Sequence, residues 1–266
     1  MDTVSVALGK FDAMHIGHRK LASRAAELGG QPWLVSFSGM ADVLGWPKRP
    51  PLVADADRVN VLASWAPQCH GRAPCQRFIP FAEVRNLSPE AFVHVLAHDL
   101  TVSGVVVGEG FRFGYKAMGD TQMLQELGAA QGMDVSIVSL VSDVCTEGPE
   151  TVSSSAVRKA LAEGRMEDVR RCLDRPYTLL VQLTQALPRA FSRCSLPAAD
   201  CQNQLPCDGV YKCTARIFRG EGALSTEGAL TLSGAYLHVD GGSIELQLPM
   251  TANLPPSNNG VVYIDL

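Results

Sequence analysis

Residues 4–18 read Val-Ser-Val-Ala-Leu-Gly-Lys-Phe-Asp-Ala-Met-His-Ile-Gly-His, and they decide the fold predicted for the first half of the chain. The apolar run predicts a short strand that ends at Gly9, after which a turn leads to a helix beginning at His15–His18. Because Gly17 has no side chain, a polyphosphate can approach the unpaired N–H groups and positive dipole end of that helix. Two imidazoles three residues apart lie about 5–6 Å from each other on one helix face, which suits two donors that bind the phosphates of one nucleotide.

The overall composition is that of an ordinary soluble globular protein. The 266 residues are 46% hydrophobic and 19% charged, which leaves room for one large domain or two smaller ones. The formal net charge of −4 argues against a nucleic-acid partner, and no apolar run reaches the roughly 18 residues that a membrane span needs. Met1 lies a few residues before the first strand, so we expect no leader here, although an organellar precursor can have lost one.

Residues 1 to about 150 alternate between strand-like and helix-like runs. The strand runs lack a clean alternation, which is typical of a parallel sheet buried on both faces. We therefore expect an open α/β sheet whose ligands bind at the carboxyl ends of the strands, where the turn with the two histidines lies. The predicted strands are Val4–Leu8, Trp33–Phe37, Arg77–Phe81, Gly104–Val107 and Val135–Val141, and the predicted helices are Ile16–Leu28, Asp57–Trp65, Pro89–His98 and Thr121–Gln131.

The remainder of the chain has a different texture. Residues 153–163 and 166–173 read as two short helices, and the chain from Tyr177 onward is rich in Thr, Val, Gly and Pro, which predicts a small antiparallel β domain. We expect residues 188–208 to form an irregular connector. The predicted domains are therefore 1–176 and 177–266. Strand-like runs in the second are Tyr177–Leu183, Val210–Phe218, Leu230–Val239, Ile244–Leu248 and Val261–Ile264.

Two further segments carry residues with ligand-binding chemistry. Residues 107–114 are rich in glycine and follow a strand; there Phe111 and Phe113 can stack on a planar ring and Arg112 can meet a phosphate, or the segment is a strand end with one core Phe and a solvated Arg. Residues 152–158 read Val-Ser-Ser-Ser-Ala-Val-Arg, in which the hydroxyls either cap a helix or bind a triphosphate together with the guanidinium.

Taken in order, the three segments resemble the FMN adenylyltransferase module of FAD synthetases, a member of the HxGH nucleotidyltransferases. The motifs are Gly-x-Phe-Asp-x-x-His-x-Gly-His, Gly-x-x-Phe-x-Phe-Gly and Ser-Ser-Ser-x-x-Arg, and the likeness covers about residues 4–178. Lys10 and the segment Ser36–Trp46 are similar to the plant and algal plastid enzymes. The resemblance implies an open parallel-sheet, Rossmann-like domain followed by a small antiparallel β domain. It also implies a plastid location after removal of a transit peptide, the alternative location being cytoplasmic.

The resemblance also implies a reaction, in which AMP is transferred from ATP to FMN to give FAD and pyrophosphate. ATP and FMN would be the substrates, and Mg²⁺ would act with ATP rather than in a protein cage. The implied catalytic residues are His15, His18 and Arg158. The implied ATP-binding residues are Gly9, Phe11, His15, Gly17, His18, Gly108, Ser154, Ser155 and Arg158, and those bordering the flavin are Phe111, Arg112 and Phe113.

The chain departs from the family pattern in three places. Residues 38–41 replace an Asp-Pro-His-Pro segment, and Gly110 stands where the family usually has Asn. Residues 205–211 resemble the opening of a riboflavin kinase barrel, but the Asn-x-Gly-x-x-Pro-Thr motif is absent from residues 212–266, so we expect no kinase activity. Two alternatives stay open: another HxGH adenylyl- or cytidylyltransferase, and a non-catalytic regulatory protein that binds flavin or nucleotide.

Overall fold

The structure, a computed structural model, describes residues 4–141, 151–184, 190–219, 230–253 and 260–266. The chain divides into two compact units. The first unit comprises Met1–Arg49 and Arg58–Asp143, and the second comprises Pro50–Asp57 and Val144–Leu266. No helix within the described part of the chain is long and apolar enough to cross a membrane.

The first unit is built on a five-stranded parallel sheet with the order β3-β2-β1-β4-β5. The central strand β1 is buried along almost its whole length, so the predicted parallel α/β sheet is confirmed. Its neighbours on either side place the carboxyl ends of β2 and β4 beside its own. The strands are β1 (Val4–Leu8), β2 (Gln31–Ser38), β3 (Cys75–Pro80), β4 (Val102–Gly108) and β5 (Asp134–Val138).

Helices connect these strands. Four of them match helices predicted from the sequence, but two short helices of five and four residues were not predicted because they are too short to show a helical period. The helices are α1 (Ile16–Glu27), α2 (Met40–Leu44), α3 (Arg58–Ser64), α4 (Phe81–Val84), α5 (Pro89–His94), which a π-helical turn (Val95–Asp99) extends, and α6 (Thr121–Ala130). Single 3₁₀ turns lie at Asp55–Asp57, Ala66–Cys69 and Tyr115–Ala117.

Local side-chain chemistry fixes several helix ends in the first unit. Ser88 Oγ accepts a hydrogen bond from Ala91 N at 3.2 Å, and Asp120 Oδ1 accepts one from Met123 N at 2.9 Å, so each helix begins at a capping side chain. Gly29 follows the first helix with a φ of 98°, the left-handed conformation that its sequence position predicts. These caps explain why the predicted helix starts agree closely with the observed ones.

The core of the first unit lies against the sheet. Alternate buried residues of β1 and β4 pack with the apolar residues of α5 and α6, and Phe113 from the loop after β4 joins them. The buried members of this core include Leu8, Val35, Phe92, Leu96, Val105, Val107, Phe113 and Leu124. Because the loop after β4 is anchored in this core, its neighbouring residues are held at the carboxyl edge of the sheet.

The second unit contains two helices and a six-stranded antiparallel sheet of order β6-β11-β8-β9-β10-β7. The predicted antiparallel β region is confirmed. Buried aliphatic side chains, among them Leu179, Ile217, Leu237 and Ile244, form its core. The elements are α7 (Ser154–Ala162), α8 (Met166–Leu173), β6 (Thr178–Leu183), β7 (Ala190–Pro197), β8 (Gly209–Arg219), β9 (Leu230–Asp240), β10 (Ser243–Asn253) and β11 (Gly260–Asp265).

The predicted irregular connector 188–208 was wrong over its first part. Ala190–Pro197 forms an edge strand that pairs with β10, whereas residues 188 and 189 lie outside the described residues. This strand is stabilised by pairing with residues about 50 positions later in the chain, so its own composition does not predict it. The helices α7 and α8 belong to the second unit, and the domain boundary after residue 176 stays a prediction.

Substituting Gly114 by Ala should destabilise the protein. Gly114 has a φ of 73°, and a Cβ there would lie 3.0 Å from the backbone nitrogen of Pro89. The left-handed conformation alone costs a non-glycine residue about 1–2 kcal/mol. We expect Gly114→Ala to lower the free energy of unfolding by at least that amount in urea denaturation. Gly110→Ala is the matched control, because nothing lies within 4 Å of its added Cβ. An equal loss of stability in both variants would contradict the special requirement for glycine at position 114.

Candidate active site

The turn after β1 ends in an unusual helix cap. His15 has extended backbone angles (φ −79°, ψ 174°) and is the N-cap of α1, and its Nδ1 accepts a hydrogen bond from His18 N at 3.3 Å. An imidazole nitrogen that accepts a hydrogen bond carries no proton, so neutral His15 carries its proton on Nε2. The cap therefore fixes the His15 tautomer and leaves Nε2–H as a donor.

His15 and His18 form a stacked pair. Their ring centroids are 3.6 Å apart and the ring planes differ by 20°. The sequence predicted a separation of about 5–6 Å on one helical face, as for two residues inside a helix. The rings are closer because His15 is the N-cap and lies outside the helical turn, so its ring folds back over the first turn.

Two glycines leave room for this arrangement. A Cβ on Gly17 would lie 3.1 Å from Cε1 and Nδ1 of the His15 ring, and a Cβ on Gly9 would lie 3.2 Å from the ring of Phe11. The sequence suggested that Gly17 lets a phosphate approach the backbone. In the structure, Gly17 also lets the His15 ring occupy its capping position.

Phe11 and Arg58 are buried side chains that pack against the turn and stabilise it. The Phe11 ring is fully buried and contacts the His18 ring edge-on at 5.0 Å between centroids. The buried Arg58 donates from Nη2 to the Phe11 carbonyl oxygen at 2.8 Å and from Nε to Gln76 Oε1 at 2.7 Å. Sequence reasoning missed Arg58, because a single arginine at the start of a helix normally faces solvent.

The environment of His18 favours its neutral form. Burial lowers the pKa of His18 well below the usual 6.5, and the electrostatic influence of His15 and Arg58, which disfavours a positive charge on His18, lowers it further. Its Nδ1 is buried and makes no hydrogen bond to any residue that the structure describes. Buried polar atoms are normally paired, so this nitrogen is a group that a bound ligand can satisfy.

A groove of about 830 Å³ opens at the carboxyl ends of β1 to β4. Most of its lining is apolar or aromatic, four of its side chains are cationic and none is acidic. It is lined by Gly9, Lys10, Phe37, Met40, Leu44, Trp46, Phe81, Val84, Arg85, Phe92 and Gly110–Ala117. The sequence of Ser36–Trp46 predicted no contact; in the structure, α2 and Trp46 of that segment line the groove.

The three predicted flavin residues have different surroundings in this groove. Phe113 is 6% exposed and packs between Phe92, at 5.4 Å between ring centroids, and the nearly parallel ring of Phe111 at 6.1 Å. Phe111 is only partly buried and offers its ring to the groove. Arg112 donates from Nε and Nη2 to the Ala117 carbonyl oxygen at 3.1 and 2.8 Å, which ties its guanidinium to its own loop.

Two glycines of the same loop have free space around them. Nothing lies within 4 Å of a Cβ built on Gly108 or Gly110. Gly108 ends β4 and was predicted to shape the nucleotide cleft, and Gly110 replaces the Asn expected by family likeness. Local packing therefore leaves room for a Cβ at position 110, so it does not explain why glycine stands there in place of the family's Asn.

The predicted triphosphate residues near Ser153 lie in the second unit. Ser153 is the N-cap of α7 and accepts a hydrogen bond from Ala156 N at 3.1 Å, whereas Ser155 is exposed and Ser154 is partly exposed. Arg158 donates from Nη1 to Gln204 Oε1 and from Nη2 to the Pro50 carbonyl oxygen. The structure thus brings His15 and His18 together in one unit, and a triphosphate site shared with the second unit stays a prediction.

Comparison with known proteins identifies the family. Residues 1–156, more than half of the chain, match the family described as FAD synthetase.

This chain belongs to the FAD synthetase family.

Comparisons with individual proteins agree with this assignment. FAD synthetase 1, chloroplastic, from Arabidopsis thaliana is 42% identical over 248 residues, which are 88% of this chain and 70% of that protein. A bifunctional riboflavin kinase/FMN adenylyltransferase from Buchnera aphidicola is 27% identical over 188 residues, 66% of this chain and 56% of that protein. A crystal structure named as a macrolide-efflux protein from Streptococcus pneumoniae aligns over 100% of this chain and 84% of that chain with a TM-score of 0.75; at 18% identity it shows the fold alone.

The depressed pKa of His18 predicts a pH-dependent stability in this FAD synthetase family member. Above pH 6.5 the His18 imidazole is largely neutral in both the folded and the unfolded protein. As the pH falls below 6.5, His18 takes up a proton in the unfolded chain but stays neutral in the folded protein. Stability should therefore fall toward acid, by at most about 1.4 kcal/mol per pH unit, until the lowered folded pKa is reached. The measurement is urea unfolding from pH 7.5 to 5.

His18→Gln provides the matched comparison, because glutamine does not titrate. The unfolding free energy of the wild type minus that of this variant should decrease as the pH falls. Parallel pH profiles for the two proteins would contradict a lowered His18 pKa.

Proposed function

We propose that this chain transfers the AMP group of ATP to FMN and releases FAD and pyrophosphate. The observation that carries the proposal is the stacked His15–His18 pair at the N-terminus of α1, in which the buried Nδ1 of His18 has no hydrogen-bond partner among the residues that the structure describes. Membership of the FAD synthetase family supports the choice of substrates. The adjoining aromatic groove supports a flavin as the acceptor.

The reaction needs no base to remove a proton. A phosphate monoester has a second pKa of about 6, so the FMN phosphate is largely dianionic at neutral pH. One of its oxygens attacks the α-phosphorus of ATP in line, and the bond from that phosphorus to the oxygen bridging toward the β-phosphate breaks. The electron pair leaves with pyrophosphate, so the work of the protein is positioning and charge stabilisation.

His15 and His18 would supply that stabilisation at the α- and β-phosphates. Neutral imidazoles donate hydrogen bonds through a defined nitrogen, and the N-terminus of α1 adds backbone N–H groups and a positive dipole end. Gly17 would leave the helix start open to the phosphates. Gly9, Phe11 and Gly108 would shape the nucleotide cleft, with Phe11 acting through its contact with His18.

Ser154, Ser155 and Arg158 would hold the β- and γ-phosphates. The start of α7, a nine-residue helix with hydroxyl side chains, suits an anion. Both terminal nitrogens of Arg158 already donate within the second unit. A guanidinium has five N–H donors, so a phosphate bound by Arg158 would share the group with these two acceptors.

The groove of the first unit would hold the isoalloxazine ring. Its aromatic and aliphatic lining suits a flat apolar ring, and its cationic side chains suit an anionic substrate. Phe111 would border the ring directly. Phe113 would hold Phe111 in place through the contact between their rings. Arg112 would stabilise the loop that borders the substrate through its hydrogen bonds to the Ala117 carbonyl oxygen.

Mg²⁺ would act as a companion of the ATP phosphates. Among the described residues there is no cluster of three or more His, Cys, Asp or Glu side chains that could hold a metal. The ion would be held through phosphate oxygens, whose negative charge it would neutralise.

Incubation with ATP, Mg²⁺ and a flavin tests the proposal. The purified chain should form FAD from FMN and form no FMN from riboflavin, since the second unit is proposed to lack kinase activity. The products are separated by chromatography. Absence of FAD with FMN would reject the adenylyltransferase proposal, and FMN formed from riboflavin would reject only the missing kinase activity.

His18→Asn should slow FAD formation strongly. Removal of one preorganised donor to a developing charge typically reduces the rate by about 10²–10³. We expect such a loss in kcat with an unchanged circular dichroism spectrum. His94→Asn, a change of an exposed helical histidine, is the matched control and should retain the wild-type rate. Near-wild-type activity of His18→Asn would reject the assigned role.

We also propose that the protein resides in plastids. The Arabidopsis relative is named chloroplastic, and the likeness of Ser36–Trp46 to plastid enzymes agrees with this. Import of the full-length precursor into isolated chloroplasts tests it. A precursor left outside the organelle and open to added protease would reject a plastid location.

A further inference from the structure

Lys10 belongs both to the turn that carries the histidines and to the aromatic groove. It follows Gly9 directly after β1, five residues before His15, and its side chain lines the groove. In the proposed reaction, the FMN phosphate must lie between the flavin ring in the groove and the α-phosphate of ATP at the histidines. Lys10 occupies the stretch of chain that joins these two places.

We propose that Lys10 binds the 5′-phosphate of the acceptor flavin and so makes the first unit select FMN over riboflavin. The inference rests on the proposed function, since that function supplies the flavin acceptor. It assigns to this chain a substrate-binding residue that lies at a variable position of the Gly-x-Phe-Asp motif.

The charge of the groove supports this assignment. Its lining includes Lys10, Arg85, Arg112 and Lys116 and no acidic side chain. Arg112 is tied to the Ala117 carbonyl oxygen and lies 3.8 Å from a carboxylate oxygen of Asp120, so part of its charge is already balanced. Among the groove cations, Lys10 alone is contributed by the histidine turn, and it is therefore best placed for the reacting phosphate.

The contact of Lys10 with Trp46 supports it further. Lys10 Nζ lies 5.9 Å from the centroid of the Trp46 ring, and Trp46 is 51% exposed at the groove. A cation–π contact at an exposed site is weak, whereas a charge-assisted hydrogen bond to phosphate is among the stronger polar contacts. A phosphate would therefore draw Lys10 away from the ring, and the freed face of Trp46 would become available to the isoalloxazine.

A purely structural explanation makes a different prediction. If Lys10 only holds Trp46 in place, its loss should weaken the binding of FMN and of riboflavin equally, because both have the same ring system. If Lys10 binds the phosphate, its loss should weaken the binding of FMN alone. Comparing the two flavins therefore separates the two roles.

The experiment measures dissociation constants of FMN and riboflavin for the free full-length protein, by quenching of flavin fluorescence. Lys10→Met should weaken FMN binding by at least roughly tenfold, the scale of one charge-assisted contact, and leave riboflavin binding within about twofold. Lys10→Arg should restore most of the FMN affinity, since it keeps the charge. Lys212→Met, a change of an exposed lysine on β8, is the control and should leave both constants unchanged.

Three results would overturn the assignment. Lys10→Met could weaken the binding of both flavins equally, it could leave FMN binding unchanged, or the wild type could bind FMN and riboflavin with equal affinity. The steady-state assay separates this from the proposed function. A raised KM for FMN with an unchanged KM for ATP would support the role of Lys10. A wild type that discriminates between the flavins through Lys10 but forms no FAD would support Lys10 and reject only the adenylyl transfer.

Discussion

The hydrogen bond from His18 N to Nδ1 of His15 is the contact on which the site depends. It starts α1, fixes the proton of neutral His15 on Nε2 and folds the His15 ring over that of His18. Glycine at position 17 suits this bond, because a Cβ there would lie 3.1 Å from the His15 ring and would press the ring out of place by a few tenths of an ångström. One short turn therefore provides helix capping, tautomer selection and an anion-binding helix end together.

The parallel sheet gives this turn its surroundings. Because β1 is central, the turns that follow β2 and β4 lie on either side of it, and the groove is built from chain segments that are far apart in sequence. Arg58 joins the same assembly through Phe11 and Gln76 and adds a positive charge near His18. The supports of the site thus come from α3 and β3 as well as from the motif itself.

The second unit uses its polar side chains to hold a distant segment. Arg158 and Gln204 bond to each other and to the backbone of Pro50 and Pro51, and buried Asn203 bonds to the Leu52 carbonyl oxygen. Residues 50–57 therefore belong to this unit although the chain on both sides belongs to the first. A residue type expected at a phosphate site thus has a structural task here, which sequence alone does not reveal.

Elements whose cause is local could be predicted from the order of the residues alone. Strand β1 and helix α1 follow from an apolar run and a capping side chain, and the starts of α5 and α6 follow from Ser88 and Asp120. Three features emerge only once the chain is folded: Trp46 lines the groove, Phe113 is a core residue and β7 is a strand. These features depend on partners brought close by the sheets, and no local pattern of residues carries that information.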